Sequence, residues 1–237
     1  MRILTTGDLD PMGSNIEQFY EKLKNEEEPD LILFAGDMYQ WRQFRRYQQI
    51  GEFIDKLGWK CPIVAIPGNR EFDEDLALVK KNAGDRIKFL DDDSVVLDID
   101  GKKVGIVGSR GVLDHPTMWQ LGNVMGIQDM YKDRLDDLAK QLVNLECDIK
   151  ILLTHYSPTF KTLEGENKMI FSGLGSQRLE QVLVKTGVTF AIHGHAHYGI
   201  PLAFVEKVPV YNVAYPVNNG LVIIDTEKLP KTEVFRV

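Results

Sequence analysis

Five short apolar runs in this chain each stop at a polar side chain. Ile3-Leu4-Thr5-Thr6 leads into Gly7-Asp8-Leu9-Asp10, Leu31-Ile32-Leu33-Phe34-Ala35 into Gly36-Asp37, and Ile63-Val64-Ala65-Ile66 into Pro67-Gly68-Asn69-Arg70-Glu71. Further on, Ile151-Leu152-Leu153-Thr154 leads into His155, and Val188-Thr189-Phe190-Ala191-Ile192 into His193-Gly194-His195-Ala196-His197. The run at 31–35 has no polar alternation, as expected of a strand covered on both faces. Amphipathic stretches separate the first runs: 14–24, with Ile16, Phe19, Tyr20 and Leu23 on one helical face, a helix within 41–57, and 73–82, whose acidic start suits the positive end of a helix. Ser14 or Asn15 is the expected cap of the first. Strand–helix alternation predicts right-handed crossovers and a largely parallel sheet. In such sheets the carboxyl ends of the strands form the ligand-binding edge, where all five polar groups would sit.

The rest of the chain changes character. Val95 to Leu97 and Lys103 to Val107 flank Asp100-Gly101, a hairpin signal. The stretch 108–129 has no clear period and several glycines, and reads as a long surface loop. Helical patterns follow at 132–145 and 174–185, then short strands at 202–205, 208–213, 221–224 and 232–235 that read as an antiparallel meander. Without a repeat or a low-complexity linker, residues 1–237 read as one α/β domain of two packed sheets with outer helices. No apolar run approaches the roughly 20 residues of a membrane span, no signal peptide is evident, and Cys61 and Cys147 have no metal-like spacing, so a cytoplasmic chain with reduced thiols is expected. The net charge of −7 disfavours broad nucleic-acid binding without excluding a local basic groove. Such a patch interleaves Trp41, Arg42, Phe44, Arg45, Arg46 and Tyr47, suited to steering an anionic substrate or simply to an exposed helix face.

Taken singly, an Asp after a strand is a turn or cap residue and a strand-end His a hydrogen-bonded structural group. Together they say more. Three of the five histidines fall at alternate positions within five residues, and alternate side chains of extended backbone share a face. Imidazole, carboxylate and amide oxygen suit borderline divalent cations.

These residues resemble the calcineurin-like metallophosphoesterase superfamily, whose pattern is D-x-H, G-D, G-N-H followed by D or E, a lone H, and G-H-x-H, each after a strand. The resemblance runs from residue 3 to residue 197 and implies a four-layer αββα sandwich of two mixed β-sheets flanked by helices. It also implies a phosphoesterase acting on a small phosphorylated molecule through a pair of divalent metal ions. Manganese is foremost, with iron, cobalt, nickel, zinc or magnesium as alternatives. Carried over by position, Asp37 would bridge the ions. Asp8, Asp10 and His197 would complete one, and Asn69, His155 and His195 the other.

Two positions depart from that pattern. Asp10 stands in place of His, which shifts preference toward harder ions. Arg70 stands in place of the His thought to assist the leaving group; a guanidinium cannot donate a proton at neutral pH but binds phosphate bidentately. Arg70 is therefore a candidate catalytic and substrate-binding residue, with Arg110 a second phosphate contact or a salt-bridge partner. His193 is expected to be structural, and His115, Met118, Trp119 and Tyr198 either line the pocket or merely pack. The competing functions are a nuclease and a degenerate metal-binding scaffold. Oligomeric state is not legible.

Overall fold

Residues 1–9, 16–39 and 42–231 are described by the computed structural model, and their strands sort into two sheets. The strands are β1 (Arg2–Thr6), β2 (Leu31–Phe34), β3 (Ile63–Ala65), β4 (Lys88–Phe89), β5 (Asp93–Ile99), β6 (Lys102–Ser109), β7 (Ile149–Thr154), β8 (Phe190–His193), β9 (Leu202–Val205), β10 (Val208–Asn212) and β11 (Val222–Asp225). The first sheet has the order β11-β1-β2-β3-β4, parallel except for β11. The second has the order β5-β6-β7-β8-β10-β9, with parallel β6, β7, β8 and β10 between antiparallel edges. The helices are α1 (Ile16–Lys24), α2 (Arg46–Lys56), α3 (Asp73–Ala83), α4 (Met118–Asn123), α5 (Ile127–Asn144), α6 (Arg178–Lys185) and α7 (Tyr215–Asn218).

Side-chain alternation along the strands builds three cores and hence four layers. In β2, Ile32 and Phe34 meet Phe19 of α1, Tyr47 and Ile50 of α2 and Val79 of α3. Leu31 and Leu33 point the other way, to meet Ile106, Ile151, Leu153 and Phe190 of the second sheet. The outer face of that sheet, with Val107, Leu152 and Ala191, packs on Tyr131, Leu138 and Leu142 of α5 and Leu179 and Leu183 of α6. An αββα sandwich results, and the unbroken apolar runs follow from burial on both faces. Among the described residues no helix is long and apolar enough to cross a membrane.

Three expectations need correction. Residues 108–129 are not one loop: Gly108 and Ser109 finish β6, Val112 and Leu113 are buried, and α4 and the start of α5 occupy half of the remainder. A capping box initiates α4, with the Thr117 hydroxyl on the Gln120 amide and the Gln120 side chain on the Thr117 amide, a signal masked by the surrounding glycines. The closing strands are not a meander. β9 and β10 form a hairpin, but β10 lies parallel to β8, and the chain then crosses through α7 so that β11 borders β1. Gly7 anchors that crossing, its amide donating to Val213 and its carbonyl accepting from Tyr215. Finally, α6 begins at Arg178 because residues 174–176 instead bond to Ser157 and Asp114. The Ser14/Asn15 cap, Trp41 and the 232–235 strand lie outside the described residues.

Candidate metal centre

Each candidate side chain leaves the carboxyl end of a strand: Asp8 after β1, Asp37 after β2, Asn69 and Arg70 after β3, His155 after β7, and His195 and His197 after β8. Stacking the sheets brings these ends together. The amide of His195 donates to Asp8 Oδ2 at 2.7 Å, and His197 Nε2 lies 2.9 Å from Asp8 Oδ1. Asp8, Asp37 and His155, all buried, each bring one donor atom within 4.8 Å of the others. Asp10 lies outside the described residues.

The His155 ring defines the chemistry of this convergence. Its Nδ1 lies 2.9 Å from the Ala35 carbonyl oxygen, which can only accept, so Nδ1 carries the proton. Burial holds the ring below the ordinary histidine pKa, and Nε2 is left with a lone pair. That lone pair faces Asn69 Oδ1 at 2.8 Å and Asp37 Oδ2 at 3.6 Å. The His155 lone pair, the Asn69 oxygen and the Asp37 carboxyl turn on one point, a donor set that fits a cation taking the place of the Asp37 proton.

Charge crowding points the same way. Burial, reinforced by the Asp8 charge, pushes the Asp37 carboxyl up to about 7. Burial likewise opposes ionisation of Asp8, but the His197 hydrogen bond and the facing imidazoles outweigh it and hold this carboxyl below its ordinary value. Burial depresses His195 to about 3, so that ring stays neutral and able to ligate. His197 is half-exposed; its hydrogen bond to Asp8 overcomes burial and raises its pKa.

The backbone is strained at these positions. Asp8, Asp37 and His195 adopt left-handed φ angles of 51°, 52° and 68°, a conformation that costs a non-glycine residue about 1–3 kcal/mol. Neighbouring glycines make the approach possible: a Cβ on Gly68 would fall on Asp37 Oδ1, and one on Gly194 on Asp8 Oδ2.

Glu71, the acid closing the G-N-R-E stretch, organises the loops around it. Its buried carboxylate accepts from the amides of Asp37 (2.9 Å), Met38 (3.1 Å) and Gly68 (2.7 Å) and from the Tyr47 hydroxyl (3.2 Å). Burial and the Asp37 charge push it up to about 7, against the two amide bonds from Asp37 and Gly68, which favour its ionised form. Its place in the motif was visible in the sequence; this work was not. Arg70 stands over Asp37, its amide donating to Oδ1 at 2.8 Å and its Nε 3.5 Å from Oδ2.

Asp37, Asn69, Arg70, His195 and His197 line a cavity of about 240 Å³ whose other wall is Glu166, Leu174 and Tyr198. Glu166 comes from irregular chain with no sequence signal, and Leu174 from a stretch whose pattern reads as helix but which precedes α6. Arg110 does not line this cavity; its guanidinium is held by Asp73 (2.6 Å) and the Glu71 carbonyl (2.7 Å). His193 is buried against Thr162 and the Gly194 carbonyl, a structural role as expected. Trp119 is exposed beside Phe72, and neither lines the cavity.

Comparison with known proteins gives a concordant result. A family model described as calcineurin-like phosphoesterase matches residues 1–199. The chain is 24% identical over 181 residues to a probable cyclic nucleotide phosphodiesterase of Pseudoalteromonas sp., covering 76% of this chain and 60% of that protein. It is 28% identical over 171 residues to another of that name from Synechococcus sp., covering 71% of this chain and 58% of that one. The chain thus spans less than two thirds of the length of these relatives. Among solved structures, the phosphopantetheinyl hydrolase of Mycobacterium tuberculosis shares the fold, with a TM-score of 0.63 at 14% identity over 90% of this chain and 89% of that one.

Proposed function

Because the chain belongs to the calcineurin-like phosphoesterase family, we propose that it is a metal-dependent hydrolase of phosphoric esters whose substrate is a small phosphodiester of nucleotide type. One observation carries the metal dependence: the lone pair of His155 Nε2 directed at the oxygens of Asn69 and Asp37. In this reading Asp37 would be shared by two divalent cations, manganese foremost; Asp8, Asp10 and His197 would hold one, and Asn69, His155 and His195 the other. When bound, such a pair lowers the pKa of water and polarises the phosphoryl oxygens.

The chain's own groups do the rest. Glu71 fixes the amides of Asp37 and Gly68 and so keeps the Asp37 carboxylate in its strained position. Arg70, over the cavity, binds phosphoryl oxygens and offsets developing negative charge. It supplies no proton, which favours substrates with good leaving groups. Glu166 and the exposed ring of Tyr198, on the far wall, offer a hydrogen-bond acceptor and a stacking face suited to sugar hydroxyls and a base. Arg110 acts through its hold on the Glu71 carbonyl rather than on phosphate.

The test is a panel of bis(p-nitrophenyl) phosphate, p-nitrophenyl phosphate and a cyclic nucleotide, each assayed with and without manganese. Cation-dependent cleavage that favours the diesters is expected. Absence of cation-dependent turnover on all three would overturn the reading.

A further inference from the structure

A second cavity, of about 500 Å³, opens beside the amino end of α2. Its lining includes Arg42, Arg45 and Arg46 together with Phe44, Gln43 and Asn82, and no carboxylate. Among the described residues none of the three arginines has an ion-pair partner, in a chain where 35 acidic residues outnumber 28 basic ones. The acid one turn along the helix, Glu52, is engaged by Gln48. Arg46 gives one guanidinium nitrogen to Gln43 at 2.7 Å, while its buried Nε donates to no protein atom. Arg42 reaches the cavity from left-handed backbone, with φ at 55°. The first turn of α2 holds no acid and no side-chain cap, so the cations stand at the helix's positive end and repel it.

The unpaired guanidiniums, the unpartnered Arg46 Nε and the acid-free helix end are each unfavourable for an empty cavity and favourable for one that holds an anion. We propose that this cavity is a second binding site for a phosphorylated small molecule bearing two or more phosphoryl groups. Guanidiniums bind such groups bidentately, and three of them converge here without competing carboxylates. Phe44 adds a ring face on which a planar group can stack. A physical connection leads from this cavity to the metal loops. Tyr47, next to Arg46, donates its hydroxyl to Glu71, and Glu71 holds the Asp37 and Met38 amides. The ligand is either a separate effector or the far end of an extended substrate; both present the same phosphoryl groups to the arginines.

The experiment titrates inorganic tripolyphosphate, pre-equilibrated with manganese so that free manganese stays constant, into the manganese-loaded full chain by calorimetry, alongside an Arg42→Gln/Arg45→Gln double variant and Asp37→Asn. Both arginines are exposed, so the variant should keep the fold, checked by its thermal midpoint. Affinity should fall about tenfold or more in the double variant and persist in Asp37→Asn. Turnover of bis(p-nitrophenyl) phosphate by the double variant should match wild type. Equal affinity in wild type and the double variant, loss of binding in Asp37→Asn alone, or no binding by wild type at physiological salt would each overturn the proposal. Binding is read without turnover, so failure of the phosphodiesterase reading stays separate from failure of this one. A tripolyphosphate-induced change in bis(p-nitrophenyl) phosphate turnover at fixed free manganese, present in wild type and absent in the double variant, identifies an effector. A raised KM for dinucleoside polyphosphates confined to the double variant identifies the far end of a substrate.

Discussion

The cavity at the sheet edge is walled by carboxylates and imidazoles from two sheets, whereas the cavity beside α2 is walled by guanidiniums from one connection. In the first, crowded negative charge is held by rigid means: strained backbone, close-packed glycines and the four donors on Glu71. In the second, crowded positive charge sits on two exposed arginines and one partly buried one, whose only side-chain partners in hydrogen bonds among the described residues are glutamines. A cation pair needs fixed donor geometry because coordination distances are short; phosphate tolerates mobile arginines because each guanidinium adapts its fork. Rigidity thus follows the ligand each region is read to bind.

Mutation should separate the two regions sharply. Asp37→Asn removes the carboxylate facing His155 and should lower turnover by about 10³-fold or more, measured as kcat/KM with manganese. Wild-type turnover would break the contrast at its strongest point. Next, Glu71→Gln leaves the Asp37, Met38 and Gly68 amides sharing a weaker acceptor; cation affinity, read by calorimetry, should drop about 10–100-fold. Gly194→Ala drives a methyl onto Asp8 Oδ2 and should weaken cation binding while Gly122→Ala, whose Cβ meets nothing, leaves it unchanged.

A pH series sharpens the comparison further. The folded chain holds protons on Asp37 and Glu71 up to about 7, well above ordinary carboxylate values, so their contribution to stability is present below about pH 4 and lost as pH rises through 7. A cation replaces the Asp37 proton, so manganese should raise the thermal midpoint more at pH 8 than at pH 5. An equal shift at both would mean that Asp37 does not meet the metal. The smallest effect belongs to α2: Arg45→Asp places a capping carboxylate at its amino end and should add about 0.5–1 kcal/mol of stability in denaturant melts, while abolishing tripolyphosphate binding.

Much of the site was legible because its residues stand where apolar runs end. Asp8, Asp37, Asn69, His155, His195 and His197 needed only the inference that parallel strands deliver their carboxyl ends to one edge. Tyr198 was legible as a residue that either lines the pocket or packs, and the fold puts it on the cavity wall, whereas Glu166 carried no signal and Leu174 read as helix, since irregular chain has no period to predict where it returns. Arg110 shows the limit of reading charge alone: an arginine after a strand fits phosphate as well as it fits Asp73, and only the fold brings Asp73 to it. The capping box at Thr117 and Gln120 was readable in principle, yet glycine-rich surroundings obscured it.

The sequence by itself determined most of the strands and helices and the residue types at the binding edge, though not the short β4, because burial on two faces and helical period are local properties of the chain. Tertiary structure alone decided the sheet partner of β11, the tautomer of His155 and the absence of an ion-pair partner for the arginines beside α2 among the described residues. Each depends on which distant atom comes within hydrogen-bonding or Coulombic reach, and packing of the layers sets that distance.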